Sequence, residues 1–259
     1  MEARRKEDAM SRELRHVRLA IIDNSIEPRV YRPVEHWGRS LPVPYEAFVA
    51  REGQFPDLRR FTHLLLTGSE ASILEPDAWV KEEEGLVREA ARRGLAVLGS
   101  CWGHQLLAQA LAGPGHVGRA SRPEIGWVPI RLLKTSGLLG RKGDEPWTFS
   151  VHFDEVRDLP AGFEILACSE GCAVQAMRLR GRPVWGLQCH PEVDIPTARK
   201  FLRDLVEMEF KGREFLLKAL AEEPRDSGLV RRIVQAFLVQ ARPGQGKGNL
   251  RLDKKRRNR

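Results

Sequence analysis

The chain has 259 residues, of which 42% are hydrophobic and 30% are charged. This composition excludes a largely disordered or fibrous protein and fits one large α/β domain or at most two smaller ones. No apolar run approaches the roughly 18 residues of a membrane helix, and the charged start MEARRKEDAM lacks a secretory signal pattern, so we expect a cytoplasmic protein that does not bind membranes.

The net charge of +8 is concentrated at the C-terminus. Residues 241–259 hold eight Lys or Arg and one acidic residue, whereas residues 19–240 carry a net charge of −1. We therefore predict a charged N-terminal arm over residues 1–16, a main domain with C-terminal helices over residues 17–241, and a basic, disordered tail over residues 242–259. A basic tail can contact nucleic acid, but no interleaved aromatic residue is available for base stacking, which favours a solvated end.

The four cysteines are Cys101, Cys168, Cys172 and Cys189. They are too few and too scattered to form a disulfide framework in a chain of this size. Cys168 and Cys172 are four residues apart, but no second Cys or His pair has the spacing of a zinc site. The sequence therefore predicts no metal centre.

In the first half of the chain, short apolar strands alternate with helices. We predict strands over residues 17–22, 62–66 and 95–98, with a helix over residues 76–92 between the last two. Strands this apolar, joined by a helix, are typical of a buried parallel sheet. Residues 24–60 contain five prolines and are predicted to form mostly loop, with a short helix near residues 45–52.

In the second half, the pattern becomes rich in strands. A helix is predicted over residues 105–112 and strands over residues 128–133, 147–151, 163–167, 173–179 and 184–189. Two further helices are predicted over residues 196–210 and 228–241. The fold class that follows is α/β, with a mainly parallel central sheet flanked by helices and an antiparallel, strand-rich extension over about residues 125–185.

The segment Gly99-Ser100-Cys101-Trp102-Gly103 has the pattern of a nucleophile elbow. Such a strand-to-helix turn is sharp and needs small residues on both sides of the nucleophile. Cys101 would lie at a helix N-terminus, where the helix dipole and free N–H groups favour a thiolate. Taken alone, the segment is also consistent with a buried cysteine in a core turn.

A second segment, Gln188-Cys189-His190-Pro191-Glu192, also follows an apolar strand. His190 could take and return protons for a thiol at a neighbouring strand end, and Glu192 could hold its second ring nitrogen. Ligand sites of open α/β sheets lie at the carboxyl ends of the strands. The two segments together therefore predict a triad of Cys101, His190 and Glu192.

The pattern G-x-C-x-G-x-Q, followed about ninety residues later by H-P-E, resembles the class I (triad) glutamine amidotransferases. Three other segments are similar to motifs of that family: residues 66–72 to its oxyanion loop, residues 124–127 to its E-x-G-W turn, and residues 150–156 to its S-H-x-D-x-V stretch. The resemblance covers about residues 17–210, and it implies that the main domain has the fold of this family.

The resemblance also implies a role for each matching residue. Cys101 would be the nucleophile, His190 the general acid and base, and Glu192 its orienting partner. Gln105 would contact the substrate, the main chain at 153–154 would hold its α-amino and carboxylate end, and main-chain N–H groups would form the oxyanion hole. The oxyanion and substrate-binding set would be Gly68, Ser69, Trp102, Gln105, Phe153 and Asp154.

The oxyanion loop departs from the family pattern. The family has Gly-Gly-Pro at this loop, whereas this sequence has Gly68-Ser69-Glu70. Serine can supply a backbone N–H, but it is harder to place than glycine if φ must be positive. Three nearby residues are expected to be structural: His104 packed against the sheet, His152 bracing its loop, and Cys189 on the opposite face of its strand from the site.

The family reaction begins when Cys101 attacks the γ-carboxamide of glutamine to form a thioester and release ammonia. Water then releases glutamate, and no metal or organic cofactor takes part. Residues 211–259 are too few for a synthetase domain, and no P-loop is present. The sequence therefore predicts a glutaminase that supplies a separate acceptor enzyme or, alternatively, a stand-alone hydrolase of γ-glutamyl compounds.

Two other hypotheses are weighed against this one. A cysteine variant of the α/β-hydrolases also has a G-x-C-x-G elbow, but its acid precedes its histidine in the chain, whereas Glu192 follows His190. A catalytically silent binding protein would not need the complete triad, although a malformed oxyanion loop would be compatible with it.

Overall fold

The computed structural model describes residues 14–240, so almost all of the predicted arm and the predicted tail lie outside the described residues. The helices are α1 (Pro33–Gly38), α2 (Ala78–Arg93), α3 (Trp102–Leu111), α4 (Ile195–Glu207), α5 (Arg213–Ala221) and α6 (Leu229–Leu238). The strands are β1 (Leu19–Asp23), β2 (Tyr45–Val49), β3 (His63–Leu66), β4 (Ala96–Ser100), β5 (Val117–Pro129), β6 (Arg131–Leu132), β7 (Trp147–Val156), β8 (Phe163–Cys168), β9 (Ala176–Leu179) and β10 (Val184–Leu187).

Eight strands form the main sheet, in the order β2-β1-β3-β4-β10-β9-β8-β6. The pairs from β2 to β10 are parallel, whereas β10-β9, β9-β8 and β8-β6 are antiparallel. β5 and β7 form a separate antiparallel sheet. The predicted fold class, a mainly parallel sheet with an antiparallel extension, is confirmed.

The parallel strands are apolar because both faces of the sheet are covered. Along β1, Leu19 and Ile21 belong to one hydrophobic cluster, together with α6, whereas Ala20 and Ile22 belong to a second cluster with α2 and α3. The two faces alternate because successive side chains of a strand point in opposite directions. The β5-β7 sheet packs with α4 and α5 in a third cluster.

The segment between β1 and β3 differs from its prediction. The short helix expected near residues 45–52 is wrong over Tyr45–Val49, which form the edge strand β2 and pair in parallel with β1. Only Ala50–Glu52 form a single 3₁₀ turn. The segment also contains α1, and α5 was not expected from the sequence.

Within the described part of the chain, no helix is both long and apolar enough to cross a membrane.

Candidate active site

The predicted nucleophile elbow lies between β4 and α3. Cys101 has φ 48° and ψ −105°, a left-handed conformation that costs energy for a residue with a Cβ. Close packing requires both flanking glycines. A Cβ on Gly99 would lie 2.5 Å from the carbonyl oxygen of Gly103, and a Cβ on Gly103 would lie 2.5 Å from that of Leu66. The turn places the thiol in a cleft at the start of α3.

Main-chain hydrogen bonds bring the neighbouring strand ends to the elbow. The N–H of Cys101 donates to the last carbonyl of β10 at 2.7 Å, and the N–H of Gly103 donates to Thr67 O at 3.1 Å, just after β3. The N–H of His190 donates to a carbonyl of β7 at 2.8 Å. The sheet therefore positions the thiol, the imidazole and the loop after β3 side by side.

The side chains of Cys101, His190 and Glu192 lie together at this edge of the sheet. Cys101 and His190 line the same cleft, and His190 Nδ1 lies 2.9 Å from Glu192 Oε1. All three residues are buried. Because Glu192 occupies Nδ1, Nε2 is the ring nitrogen left to exchange a proton with the thiol.

The two acidic partners of His190 determine its charge. Burial by itself lowers the pKa of His190, but the negative charges of Cys101 and Glu192, together with the hydrogen bond to Glu192, outweigh burial and raise the pKa to about 10. The imidazolium is therefore the form present near neutral pH.

The oxyanion loop approaches the imidazole closely. A Cβ on Gly68 would lie 2.7 Å from His190 Cε1, so only glycine fits here. Ser69 lines the cleft, and its φ is not positive. The serine found in place of the family's glycine therefore requires no left-handed backbone, and its Oγ accepts a hydrogen bond from the N–H of Ala71 at 3.1 Å.

The cleft above the thiol has a volume of about 50 Å³. The substrate-binding residues predicted from the sequence that line it are Ser69, Trp102, Gln105, Phe153 and Asp154. Two other predicted residues lie against the imidazole instead. Gly68 faces its Cε1, and Glu192 faces its Nδ1. The structure thus brings all of the predicted site residues to one region.

Hydrogen bonds hold the segment at 153–154 against α3. Gln105 Nε2 donates to the main-chain oxygen of Asp154 at 2.7 Å. The Asp154 carboxylate accepts from Arg119 at 2.9 Å and from Ser72 Oγ at 2.6 Å. Since both carboxylate oxygens are occupied, this side chain fixes the cleft wall.

His152, which lines the cleft, pairs with the partly buried Glu124. His152 Nε2 lies 3.1 Å from Glu124 Oε2, and Nδ1 lies 3.2 Å from the oxygen of Asp154. Burial by itself raises the pKa of Glu124, but hydrogen bonds from His152, Ser169 and the N–H of Gly171 outweigh it and lower the pKa below its usual value. These contacts brace the loop that carries His152.

Within residues 14–240, one group of side chains has the spacing of metal ligands: Glu124, His152 and Cys172, whose ligand atoms lie within 4.8 Å of one another. Both oxygens of Glu124 already accept hydrogen bonds, and burial raises the pKa of the Cys172 thiol well above its usual range. A protonated thiol and an occupied carboxylate are poor metal ligands, so this group fits a structural network better.

The other residues expected to be structural lie away from the cleft. His104 packs on β10, where a Cβ on Gly186 would lie 2.3 Å from His104 Nδ1; burial lowers its pKa to about 3. Cys189 is buried in the cluster on the α6 face of the sheet. Burial raises the pKa of Cys189 to about 12, so its thiol is not reactive at neutral pH.

Two polar residues of the site were not found from the sequence. Tyr31 is 3% exposed, and its hydroxyl donates to Glu192 Oε1 at 2.6 Å. Lys211 lines the cleft, and its Nζ lies 4.7 Å from the centre of the Phe153 ring. Neither residue belongs to a motif. For Lys211, the one local indication in the sequence is its position next to Phe210, since cations often lie over aromatic rings.

The chain matches the family model described as glutamine amidotransferase class-I over residues 23–207. It is 39% identical over 177 residues to a glutamine-hydrolyzing GMP synthase subunit from Methanocaldococcus jannaschii; the match covers 68% of this chain and 88% of that protein. It is 40% identical over 97 residues to the corresponding GMP synthase subunit from Thermococcus kodakarensis. That match covers 38% of this chain and spans half the length of the relative.

Among solved structures, the chain is similar to a glutamine amidotransferase from Thermotoga maritima, with a TM-score of 0.65 and 22% sequence identity. The superposition covers 87% of this chain and 96% of that structure. At this identity the likeness concerns the fold.

Proposed function

This chain belongs to the class-I glutamine amidotransferase family, and on that premise we propose that it hydrolyses the γ-carboxamide of glutamine through a thioester on Cys101 and passes the ammonia to a separate synthetase. The observation that carries the proposal is the placement of Cys101 and His190 in one cleft, with His190 Nδ1 2.9 Å from Glu192 Oε1. The relatives from Methanocaldococcus jannaschii and Thermococcus kodakarensis are named as subunits of glutamine-hydrolyzing GMP synthase, which supports a partner of the synthetase class.

In the first half of the reaction, the Cys101 thiolate attacks the γ-carbonyl carbon of glutamine. Main-chain N–H groups at Ser69 and Trp102, which line the cleft, stabilise the negative oxygen of the tetrahedral intermediate. The C–N bond then breaks, and the His190 imidazolium gives its Nε2 proton to the departing nitrogen, which leaves as ammonia. The products of this half are a γ-glutamyl thioester and a neutral imidazole.

In the second half, neutral His190 takes a proton from water through Nε2, and the resulting hydroxide attacks the thioester carbonyl. The C–S bond breaks, glutamate leaves, and the thiolate–imidazolium pair is restored. Glu192 keeps its hydrogen bond to Nδ1 throughout, so the ring keeps the orientation in which Nε2 faces the sulfur.

The charge of the cleft supports an amino-acid substrate. Among the described residues, Lys211 is the one Lys or Arg that lines this cleft. Its ammonium group makes cation–π contacts with the rings of Phe153 and Phe210. A cation held over aromatic rings, with no carboxylate partner among residues 14–240, can pair with the α-carboxylate of glutamine. A γ-glutamyl compound carries the same carboxylate, which keeps the stand-alone hydrolase as the second candidate.

Ammonia release from glutamine, compared with release of amine from γ-glutamyl amines, tests the proposal. We expect the wild-type protein to prefer glutamine and Cys101→Ala to lose at least about 10³-fold of its rate. Cys168→Ala is the matched control, because Cys168 is a partly exposed thiol at the end of β8 that does not line the cleft; its rate should stay within about twofold of wild type.

Two results would contradict the proposal. Retained hydrolysis in Cys101→Ala would remove the assigned nucleophile, and a clear preference for γ-glutamyl amines would favour the stand-alone hydrolase. A rate with glutamine that rises when the synthetase and its nucleotide substrates are added would support transfer of ammonia between the two proteins.

A further inference from the structure

We propose that Tyr31 is a positioning residue of the triad: its hydroxyl fixes the Glu192 carboxylate in the orientation that accepts the Nδ1–H of His190. The inference deepens the proposed function and rests on it. It also assigns a role to the proline-rich segment between β1 and β3, for which the sequence suggested none.

Tyr31 contacts the triad where His190 meets Glu192. Its hydroxyl donates to Glu192 Oε1 at 2.6 Å and lies 3.2 Å from His190 Nδ1. The ring meets the imidazole edge to face, with centroids 5.5 Å apart and an angle of 87° between the planes. The phenol therefore touches both the orienting carboxylate and the ring that this carboxylate orients.

The two carboxylate oxygens of Glu192 have unequal contacts, so a second donor is needed to fix the orientation of the carboxylate. Oε1 accepts from both Tyr31 and His190, whereas Oε2 is buried and has no hydrogen-bonding partner in the described structure. With His190 alone, the carboxylate could rotate about its last torsion, which has a broad, roughly two-fold energy profile. Tyr31 selects the rotation that keeps Oε1 on Nδ1.

The oxyanion loop in turn holds Tyr31. The single proton of Ser25 Oγ faces two acceptors, the main-chain oxygen of Tyr31 at 2.9 Å and Glu70 Oε1 at 3.1 Å, and the N–H of Ile26 donates to Glu70 Oε2 at 3.0 Å. Glu70 directly follows Ser69. The segment carrying Tyr31 is therefore tied to the loop that would bind the oxyanion, so the tyrosine, the loop and the triad form one connected unit.

The charged surroundings keep the phenol a donor. Burial, followed by the negative charge of Glu192, raises the pKa of Tyr31 well above its usual value, and the charges of Cys101 and Glu70 act in the same direction. The other titratable rings that face it are His190 and His36, the latter with its centroid 5.6 Å away. Tyr31 thus keeps its proton across the pH range in which the enzyme would work.

The test compares Tyr31→Phe with Tyr45→Phe. The chain has only two tyrosines, and Tyr45 is exposed on the edge strand β2, so the second variant controls for the loss of a phenol hydroxyl. We expect Tyr31→Phe to lower kcat with glutamine about tenfold, the effect of losing one hydrogen bond to a charged group. KM should stay within about twofold, because the ring remains in place, and Tyr45→Phe should match wild type.

A second readout does not depend on glutamine. The rate at which iodoacetamide alkylates Cys101, followed by peptide mass spectrometry against pH, reports the thiolate–imidazolium pair. Without the phenol, the Glu192 carboxylate loses the donor that fixes its orientation beside the imidazole. In Tyr31→Phe we therefore expect the acid limb of this profile to move upward by about one pH unit, with no movement in Tyr45→Phe.

Fluorine NMR of protein labelled with 3-fluorotyrosine keeps the test valid if Tyr31→Phe folds poorly. Tyr45→Phe assigns the two signals, and alkylation of Cys101 should move the Tyr31 signal and leave the Tyr45 signal unchanged.

The outcomes separate the two proposals. A wild-type protein without glutaminase activity whose alkylation profile still depends on Tyr31 would overturn the proposed function and leave this inference standing. The inference would be overturned if the wild-type protein is active and Tyr31→Phe has the same kcat and the same alkylation profile. It would also be overturned if alkylation of Cys101 leaves the Tyr31 fluorine signal unchanged.

Discussion

Glu83 lies on α2, fully buried, and neither of its carboxylate oxygens has a hydrogen-bonding partner at normal distance within residues 14–240. Burial raises the pKa of Glu83 to about 8, and the nearby Asn24 side chain offsets only part of this effect. Asn24 also donates to Thr67 O at 3.2 Å, the carbonyl that accepts from the elbow. A neutral carboxylic acid therefore lies under the loop that leads to the oxyanion site.

The pKa of Glu83 predicts a pH-dependent cost in stability. Between about pH 4.5 and pH 8 the folded protein keeps this proton and the unfolded chain releases it, so the free energy of unfolding falls as pH rises through that window. Glu83→Gln removes the titration. We expect its free energy of unfolding, relative to wild type, to increase by about 2–4 kcal/mol from pH 5 to pH 8, as measured by urea unfolding.

The control is Glu82→Gln, which changes an exposed glutamate on the same helix and should follow the wild-type pH dependence. A difference between Glu83→Gln and wild type that stays constant from pH 5 to pH 8 would show that Glu83 is ionised in the folded protein.

At the scale of single residues, what the sequence could predict depended on spacing along the chain. Cys101 and its glycines are close neighbours, and Glu192 follows His190 by two residues, so local patterns were enough to propose them together. Tyr31 reaches Glu192 from 161 residues away, and the contact between Glu83 and Asn24 also joins separate elements. Such contacts follow from the packing of the whole sheet, which no local pattern contains.

At the scale of elements, the elbow depends on two glycines that have no room for a side chain. A Cβ on Gly103 would lie 2.5 Å from the carbonyl oxygen of Leu66 and 2.8 Å from its Cβ. Because Gly103 is on α3 and Leu66 is on β3, a shift that relieves the clash must move the elbow away from the oxyanion loop. The close packing of Gly103 on Leu66 thus links the stability of the turn to the geometry of the site.

Gly103→Ala should therefore reduce both stability and activity. We expect a loss of about 1–3 kcal/mol in the free energy of unfolding from overpacking, together with a drop in ammonia release larger than the unfolded fraction explains. Gly85→Ala is the control, since Gly85 lies on α2 with nothing within 4 Å of an added Cβ, and alanine should stabilise that helix by about 0.5–1 kcal/mol. Equal effects of the two substitutions would contradict the packing argument.

Apart from the 13-residue strand β5, which the predicted strand over residues 128–133 overlaps only at its end, the elements that sequence reasoning missed are short or lie at an edge. β2 is exposed over most of its length, so it shows no buried alternation, and its Glu46 and Ala47 favour helix by propensity. Pairing with β1 decides its structure. α5 spans only nine residues after Gly212, and packing against α4 and β5 stabilises it. By contrast, the long amphipathic α2 and the buried strands β1, β3 and β4 were predicted close to their observed bounds.

At the scale of the whole molecule, the parallel order β2-β1-β3-β4-β10 explains why distant segments meet. The carboxyl ends of β3, β4 and β10 are neighbours, and they lead into the oxyanion loop, the elbow and the His190 turn. The β5-β7 sheet closes the cleft from the side with residues 151–154. The family proposed from the motifs is confirmed by the match over residues 23–207, whereas the role of each site residue stays a prediction.

The central claim is that Cys101 forms the covalent intermediate with the γ-carbonyl of glutamine. The most direct measurement incubates the protein with an electrophilic glutamine analogue and locates the adduct by peptide mass spectrometry, with His190→Asn as the variant that should slow labelling by at least about 10²-fold. We predict one adduct on Cys101, protection by glutamine, and no label on Cys168, Cys172 or Cys189. An adduct on another cysteine, or labelling of Cys101 that glutamine does not slow, would contradict the account.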